Sequence, residues 1–130
     1  MKKKVILAVD DERIVLDSLK RQLKEVFGNN FQYEIAESGE DALDLLEELQ
    51  EDEKDVVLII TDFIMPNMNG DEFLRRAHGK LPKTAKIILT GQADENSINK
   101  ISKEVNLLAC MSKPWAEEQL ISNIKRGIGV

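Results

Sequence analysis

The chain is poor in residues that staple a fold or hold a soft metal. Its only cysteine is Cys110 and its only histidine is His78. One cysteine can form neither an internal disulfide nor a cysteine-based zinc site, and such sparing use implies a reducing compartment. One histidine without nearby ligands is poor material for a metal site, so His78 is expected at the surface. Long apolar runs are missing too, since none approaches the ~20 residues of a membrane-spanning helix. Lys2 to Lys4 precede Val5 to Val9, but that run is too short for a signal peptide and meets Asp10 and Asp11. Positive charge is in deficit: 18 Lys and Arg stand against 24 Asp and Glu, for a net charge of −6 and a pI near 4.9. That balance argues against a direct hold on nucleic acid or an anionic membrane, and leaves room for a cationic partner or a metal ion. The expected location is the cytoplasm.

What is present suffices for one ordinary domain, expected over residues 1–130. Hydrophobic residues make up 42%, too many for a disordered chain. The chain is organised around the segment that ends at Gly70. Val57 to Thr61 is an apolar, β-branched run suited to a strand buried on both faces. Asp62 follows where that strand should end. Pro66, Asn67, Asn69 and Gly70 then make a loop. A carboxylate is thereby presented at a strand's carboxyl end, the edge where open α/β sheets bind ligands. Taken alone, Asp62 could equally be an ordinary turn residue.

Strand and helix alternate along the rest of the chain. Val5 to Val9 is the first strand. Leu16, Leu19, Leu23, Val26 and Phe27 recur at helical spacing, and Gly28 stops that helix. Tyr33 to Ala36 is the second strand. Ser38 caps the next helix, with Asp41 three residues on, and Ala42, Leu45, Leu46 and Leu49 form its apolar stripe. Glu51 to Asp55 is a charged connection. After the central strand a short helix runs from Asp71 to about Ala77, ended by His78 and Gly79. Ile87 to Leu89, closed by Thr90 and Gly91, is the fourth strand. Ile98, Ile101 and Val105 mark a helix, and Leu107 to Met111 a fifth strand that leads into Ser112, Lys113 and Pro114. Leu120, Ile121, Ile124 and Ile128 line the last helix, whose end Gly127 and Gly129 loosen. Five such alternations with short connections predict an α/β fold: a doubly wound, five-stranded parallel sheet with helices on both faces.

In strand order 2-1-3-4-5 the first and third strands are neighbours at the switch point. Asp10, Asp11 and Asp62 then share one crevice. Three close carboxylates repel one another, and a divalent cation relieves them. All-oxygen ligation in a shallow site with room for waters suits Mg²⁺. Thr90 and Lys113 flank the other side with a hydroxyl and a mobile positive charge, both fit for phosphate-type oxygens. Nucleophile, metal and cationic clamp together suit phosphoryl transfer.

The motifs VDDE at Val9 to Glu12, TDFIMPNMNG at Thr61 to Gly70, ILTG at Ile88 to Gly91 and SKPW at Ser112 to Trp115 carry a family resemblance. Over essentially its whole length the sequence resembles the receiver domain of two-component response regulators, of the chemotaxis-regulator-like, flavodoxin-like kind. The resemblance implies that Asp62 accepts a phosphoryl group from a sensor histidine kinase or a phosphotransfer protein. It implies that Asp11, Asp62 and the Ile64 backbone carbonyl ligate Mg²⁺, that Asp10 acts through water, that Thr90 and Lys113 bind the phosphoryl oxygens, and that Lys113–Pro114 is cis. It implies no enzymatic activity beyond the domain's own autophosphorylation and autodephosphorylation. Receivers usually carry Tyr or Phe where this chain has Cys110, so a response through the loop from Gly91 to Asn96, the following helix and the fifth strand is expected without an aromatic rotation. The LTGQAD and KPW segments look like those of receivers that precede cyclic-dinucleotide phosphodiesterase domains, one candidate output.

Rival readings fare worse. A haloacid-dehalogenase-like phosphotransfer enzyme needs a second Asp two positions after the nucleophile, and Ile64 stands there. A nucleotide-binding domain needs a G-x-x-x-x-G-K-[ST] loop, which the sequence lacks. A calcium loop with Gly70 as its glycine would put Met65 and Arg76 where acidic ligands belong. A phosphorylation-independent interaction domain would have no need of all five site residues.

Overall fold

The computed structural model describes residues 2–92 and 94–129; Ala93, part of the expected response loop, lies outside the described residues. The elements run β1 (Lys4–Val9), α1 (Arg13–Phe27), a 3-10 turn (Gly28–Asn30), β2 (Gln32–Ala36), α2 (Gly39–Glu51), β3 (Asp55–Thr61), α3 (Gly70–Lys80), β4 (Ala85–Thr90), α4 (Glu95–Val105), β5 (Ala109–Ser112) and α5 (Glu117–Ile128). The five strands pair in parallel, as expected from the alternation, in the order β2-β1-β3-β4-β5 of the doubly wound arrangement.

Side chains on successive strand residues point to opposite faces, and the two cores follow that alternation. Val5, Leu7 and Val9 of β1 pack with Ile59 and Ile88 against α2, α3 and α4. Ile6 and Ala8 pack with Leu58, Ile60, Ile87 and Leu89 against α1 and α5. Val5 pairs with Val56 but Ile6 pairs with Leu58, so Val57 is an extra residue on β3. That bulge brings Ile59 and Ile60 onto their proper faces just before Asp62.

Helix ends are set locally. Ser38 Oγ accepts the Asp41 N–H at 3.0 Å and caps α2. Gly28, at φ +55°, closes α1 with its N–H on the Lys24 carbonyl.

Several details correct the sequence reading. Helix α3 continues through His78 and Gly79 to Lys80, because the residue that stops a helix here is Pro82. His78 is half-buried rather than on the surface, with its Nδ1 buried and lacking a partner. Val26 is 42% exposed and leaves the α1 stripe. Glu95 and Asn96 belong to α4, not to the loop before it. β5 begins at Ala109: Asn106 turns left-handed at the end of α4, and Leu107 N–H still bonds back to Ser102. Gly127 lies within α5, where a methyl group would stand 2.2 Å from Leu108 Cδ2, so it gives the helix room to pack.

Lys86 is the feature that apolar patterning passes over. It is 0% exposed in the interior strand β4. Its Nζ donates to the Thr84 carbonyl at 2.6 Å and to the Leu81 carbonyl at 3.4 Å. Burial pushes its ammonium below the ordinary value of 10.5. Below the native pKa the ammonium is charged in both states and its desolvation cost is fully present. Between the native pKa and the ordinary value the unfolded chain holds a proton that the native state has released, so stability rises with pH. Denaturant unfolding of wild type and Lys86→Met should show their difference moving in favour of wild type as pH climbs from 7 toward about 10. A pH-independent difference would contradict this account of Lys86.

Candidate functional site

Asp10, Asp62 and Lys113 each sit one step past a strand's carboxyl end and are tied by their backbone to the neighbouring strand. Asp10 N–H donates to Ala36 O at 3.1 Å, Asp62 N–H to Val9 O at 2.9 Å, and Lys113 N–H to Thr90 O at 3.1 Å. The sheet's hydrogen bonding thus runs on through the site. Thr90 is the last residue of β4, buried, and its Oγ1 accepts the Gln92 N–H at 3.2 Å. The Lys113–Pro114 peptide is cis.

The side chains converge. Lys113 Nζ lies 2.6 Å from Asp10 Oδ2 and 3.1 Å from Asp62 Oδ2. Asp10 Oδ1 accepts the Glu12 N–H at 2.9 Å, and Asp62 Oδ1 accepts the Phe63 N–H at 2.7 Å. Asp10 is 2% and Asp62 8% exposed, while Asp11 is exposed. One carboxylate oxygen from each of Asp10, Asp11 and Asp62 lies within 4.8 Å of the others. Burial pushes the Asp10 carboxyl above its ordinary range, against the opposing bonds from Lys113 and from Glu12 N–H. Burial also works to lower the Lys113 ammonium, but its bonds to Asp10 and Asp62 outweigh that and leave it raised. The donors are all oxygen and one ammonium faces at least two carboxylates, an arrangement that fits a hard divalent ion. Ile64 stands in the loop from β3 to α3 and is 49% exposed.

That loop is held by its own polar groups. Met65 N–H donates to Asn69 Oδ1 at 3.1 Å, Met68 N–H to Pro66 O at 2.8 Å, and Gly70 N–H to Phe63 O at 2.6 Å. A methyl group at Gly70 would stand 2.2 Å from Asp62 O, so only glycine lets α3 start this close to the acidic residue. On the far side Trp115 Nε1 donates to Gln22 Oε1 at 2.9 Å and ties the segment after Lys113 to α1. Gln22 and Asn69 were missed as supports of the site, because neither reaches it directly. Cys110 is exposed on β5.

Residues 6–125 match the family model described as the response regulator receiver domain. The chain belongs to the response regulator receiver domain family. It is 31% identical over 120 residues to the response regulator MprA of Mycolicibacterium vanbaalenii, covering 92% of this chain and 48% of that protein. It is 28% identical over 127 residues to the hydrogenase transcriptional regulatory protein HoxA of Cupriavidus necator, covering 98% of this chain and 24% of the other. The chain thus spans about half the length of the first of these relatives and about a quarter of the second. Among solved structures, the CheY-like receiver domain protein of Methanospirillum hungatei superposes with a TM-score of 0.84 at 31% identity, over 98% of this chain and 95% of that one. The signal receiver domain of an HD domain-containing protein from Pseudomonas fluorescens gives 0.86 at 28% identity, over 98% and 96%. Receiver domains are signalling modules of two-component systems, generally not enzymes. They bind Mg²⁺ at an acidic cluster, and Asp10, Asp11 and Asp62 form such a group. Among the described residues no helix is long and apolar enough to cross a membrane.

The Lys113 contacts predict a specific cost. Lys113→Met leaves two buried carboxylates without their cation, so stability at neutral pH should fall by about 3 kcal/mol while the fold persists. Burial already raises the Asp10 carboxyl and Lys113 opposes that rise, so without the lysine Asp10 should rise further and acid should restore stability to the variant relative to wild type. Urea titrations from pH 7 down to about 4.5 test this; a deficit that stays constant with pH would contradict it.

Proposed function

We propose that residues 1–130 act as one phosphoacceptor unit in which Asp62 takes a phosphoryl group from the phosphohistidine of a sensor histidine kinase or phosphotransfer protein. The observation that carries this reading is the placement of Lys113 Nζ between Asp10 and Asp62 at one end of the sheet, with Thr90 at the end of the neighbouring strand β4. An Asp62 carboxylate oxygen attacks phosphorus, the phosphorus–nitrogen bond breaks, and the imidazole leaves and takes up a proton. Asp11, Asp62 and the Ile64 carbonyl would hold Mg²⁺, with Asp10 acting through water. The ion supplies charge neutralisation for the transferring oxygens. Lys113 can swing from the carboxylates to a phosphoryl oxygen, and the Thr90 hydroxyl can donate to another. Hydrolysis of the acyl phosphate returns Asp62 to its starting state, so the only turnover is the domain's own.

The signal would leave through Thr90. Its hydroxyl now receives the Gln92 N–H, so a move toward a phosphoryl oxygen disturbs the segment leading into α4. With exposed Cys110 in place of a large ring on β5, α4 and β5 respond without an aromatic side chain changing rotamer. A shift from 1:99 to 99:1 needs about 5.5 kcal/mol. One hydroxyl bond and one Lys contact supply less, so a partial shift is expected. The output lies in a further domain or partner. The similarity to a receiver from an HD domain-containing protein fits a cyclic-dinucleotide phosphodiesterase among the candidates.

Incubation with a small acyl phosphate and Mg²⁺ should add one phosphate by intact mass, and Asp62→Asn should stay folded and unlabelled. In the beryllofluoride-treated protein, amide exchange should change between residues 94 and 111. Label on Asp62→Asn, or exchange changes confined to the loop after β3, would contradict the proposal.

A further inference from the structure

Gly39 opens α2, outside every motif that carries the site. It is buried, its φ lies outside the left-handed region, and a methyl group there would stand 2.8 Å from Met68 Sδ, 3.1 Å from Cγ and 3.3 Å from Cβ. Neither backbone conformation nor helix propensity asks for glycine at this position; the demand is for space. The occupant of that space is Met68, 6% exposed and part of the core beneath the loop from β3 to α3.

We propose that Gly39 and Met68 form a seat that sets the position of the Asp62 loop, making Gly39 a positioning residue for the metal and phosphoacceptor site. This rests on the reading of that site given above. Turning the thioether aside would relieve the closest approach to an added methyl group. It would leave the contact with Met68 Cβ, which is fixed to the loop backbone. Met68 is packed in the core, so its thioether has little room to turn and the loop takes up the displacement. Its three internal hydrogen bonds, from Met65, Met68 and Gly70 N–H, make it move as a unit. Phe63 N–H, bonded to Asp62 Oδ1 at 2.7 Å, lies within the same unit. A displacement at Met68 therefore reaches the Asp62 carboxylate and Ile64. Supports one step removed from a ligand set matter because they fix ligand direction.

The test is Mg²⁺ affinity by calorimetry, well below the unfolding temperature, for wild type, Gly39→Ala, Met68→Ala and the double variant. Gly39→Ala should bind Mg²⁺ about tenfold more weakly. Met68→Ala, which empties the seat, should lose less. The double variant should lie close to Met68→Ala, because the 2.8 Å and 3.1 Å contacts are then gone and only the 3.3 Å contact with Cβ remains. Leu49→Val, a buried change at the other end of α2, should lower stability and leave the affinity alone. Wild-type affinity in Gly39→Ala, or a loss in the double variant equal to the product of the single losses, would overturn the proposal. Should Gly39→Ala fail to fold, Met68→Ala and the double variant decide between them: both must bind more weakly than wild type and to a similar degree. Absence of Mg²⁺ binding by wild type would instead remove the site reading, and this proposal with it.

Discussion

Two nearly buried carboxylates share one ammonium. Lys113 Nζ touches both Asp10 and Asp62, and around that contact the arrangement of the domain becomes intelligible. Burying a charge is costly unless it is paired, and here the count is uneven, with a third carboxylate, Asp11, close by. The fold holds the uneven set together by covalent and hydrogen-bonded constraint. Strands β1 and β3 are adjacent, so Asp10 and Asp62 cannot separate without breaking the backbone bonds that carry the sheet one residue further. Lys113 is fixed to Thr90 in the same way. The protein thus keeps a concentrated negative charge at one edge, of the kind that draws a cation.

Much of this was legible in the sequence, for a topological reason. In a parallel sheet every strand ends at the same edge, so residues that follow apolar runs are neighbours even when far apart in the chain. Asp10, Asp62, Thr90 and Lys113 could be grouped without knowing any side-chain direction. The strand order 2-1-3-4-5 is taken from the doubly wound arrangement and is the order found. Less legible were features decided by packing between elements. Lys86 carries no signal in the apolar pattern, yet it is fully buried, with its ammonium donating to the Leu81 and Thr84 carbonyls at the two ends of the loop before β4. His78 and Gly79 read as a helix end, yet α3 continues until the chain reaches Pro82. Leu107 and Leu108 read as strand, yet a left-handed Asn106 delays β5. Gly39 carried no signal, because what it faces lies 29 residues away in a loop whose path the sequence does not specify.

The supports of the site fall on two sides with different physics. On the Asp62 side the support is close packing: the absence of a side chain at Gly70 leaves room for the Asp62 carbonyl, and at Gly39 for Met68. On the Lys113 side the constraint is polar, through Trp115 and Gln22, and a long, flexible side chain reaches across the remaining gap. In the proposed phosphoryl transfer, that long side chain could follow the change of charge while the backbone-anchored carboxylates stay in place.

If Lys113 balances charge that a divalent cation would otherwise balance, the two compete for Asp10 and Asp62. The direct measurement is the Mg²⁺ dissociation constant of wild type and Lys113→Met by isothermal titration at neutral pH and low ionic strength. Tighter Mg²⁺ binding in Lys113→Met is the expected result. Equal or weaker binding by the variant would show that the ammonium does not stand in for the metal, and would contradict the charge balance on which this description of the site depends.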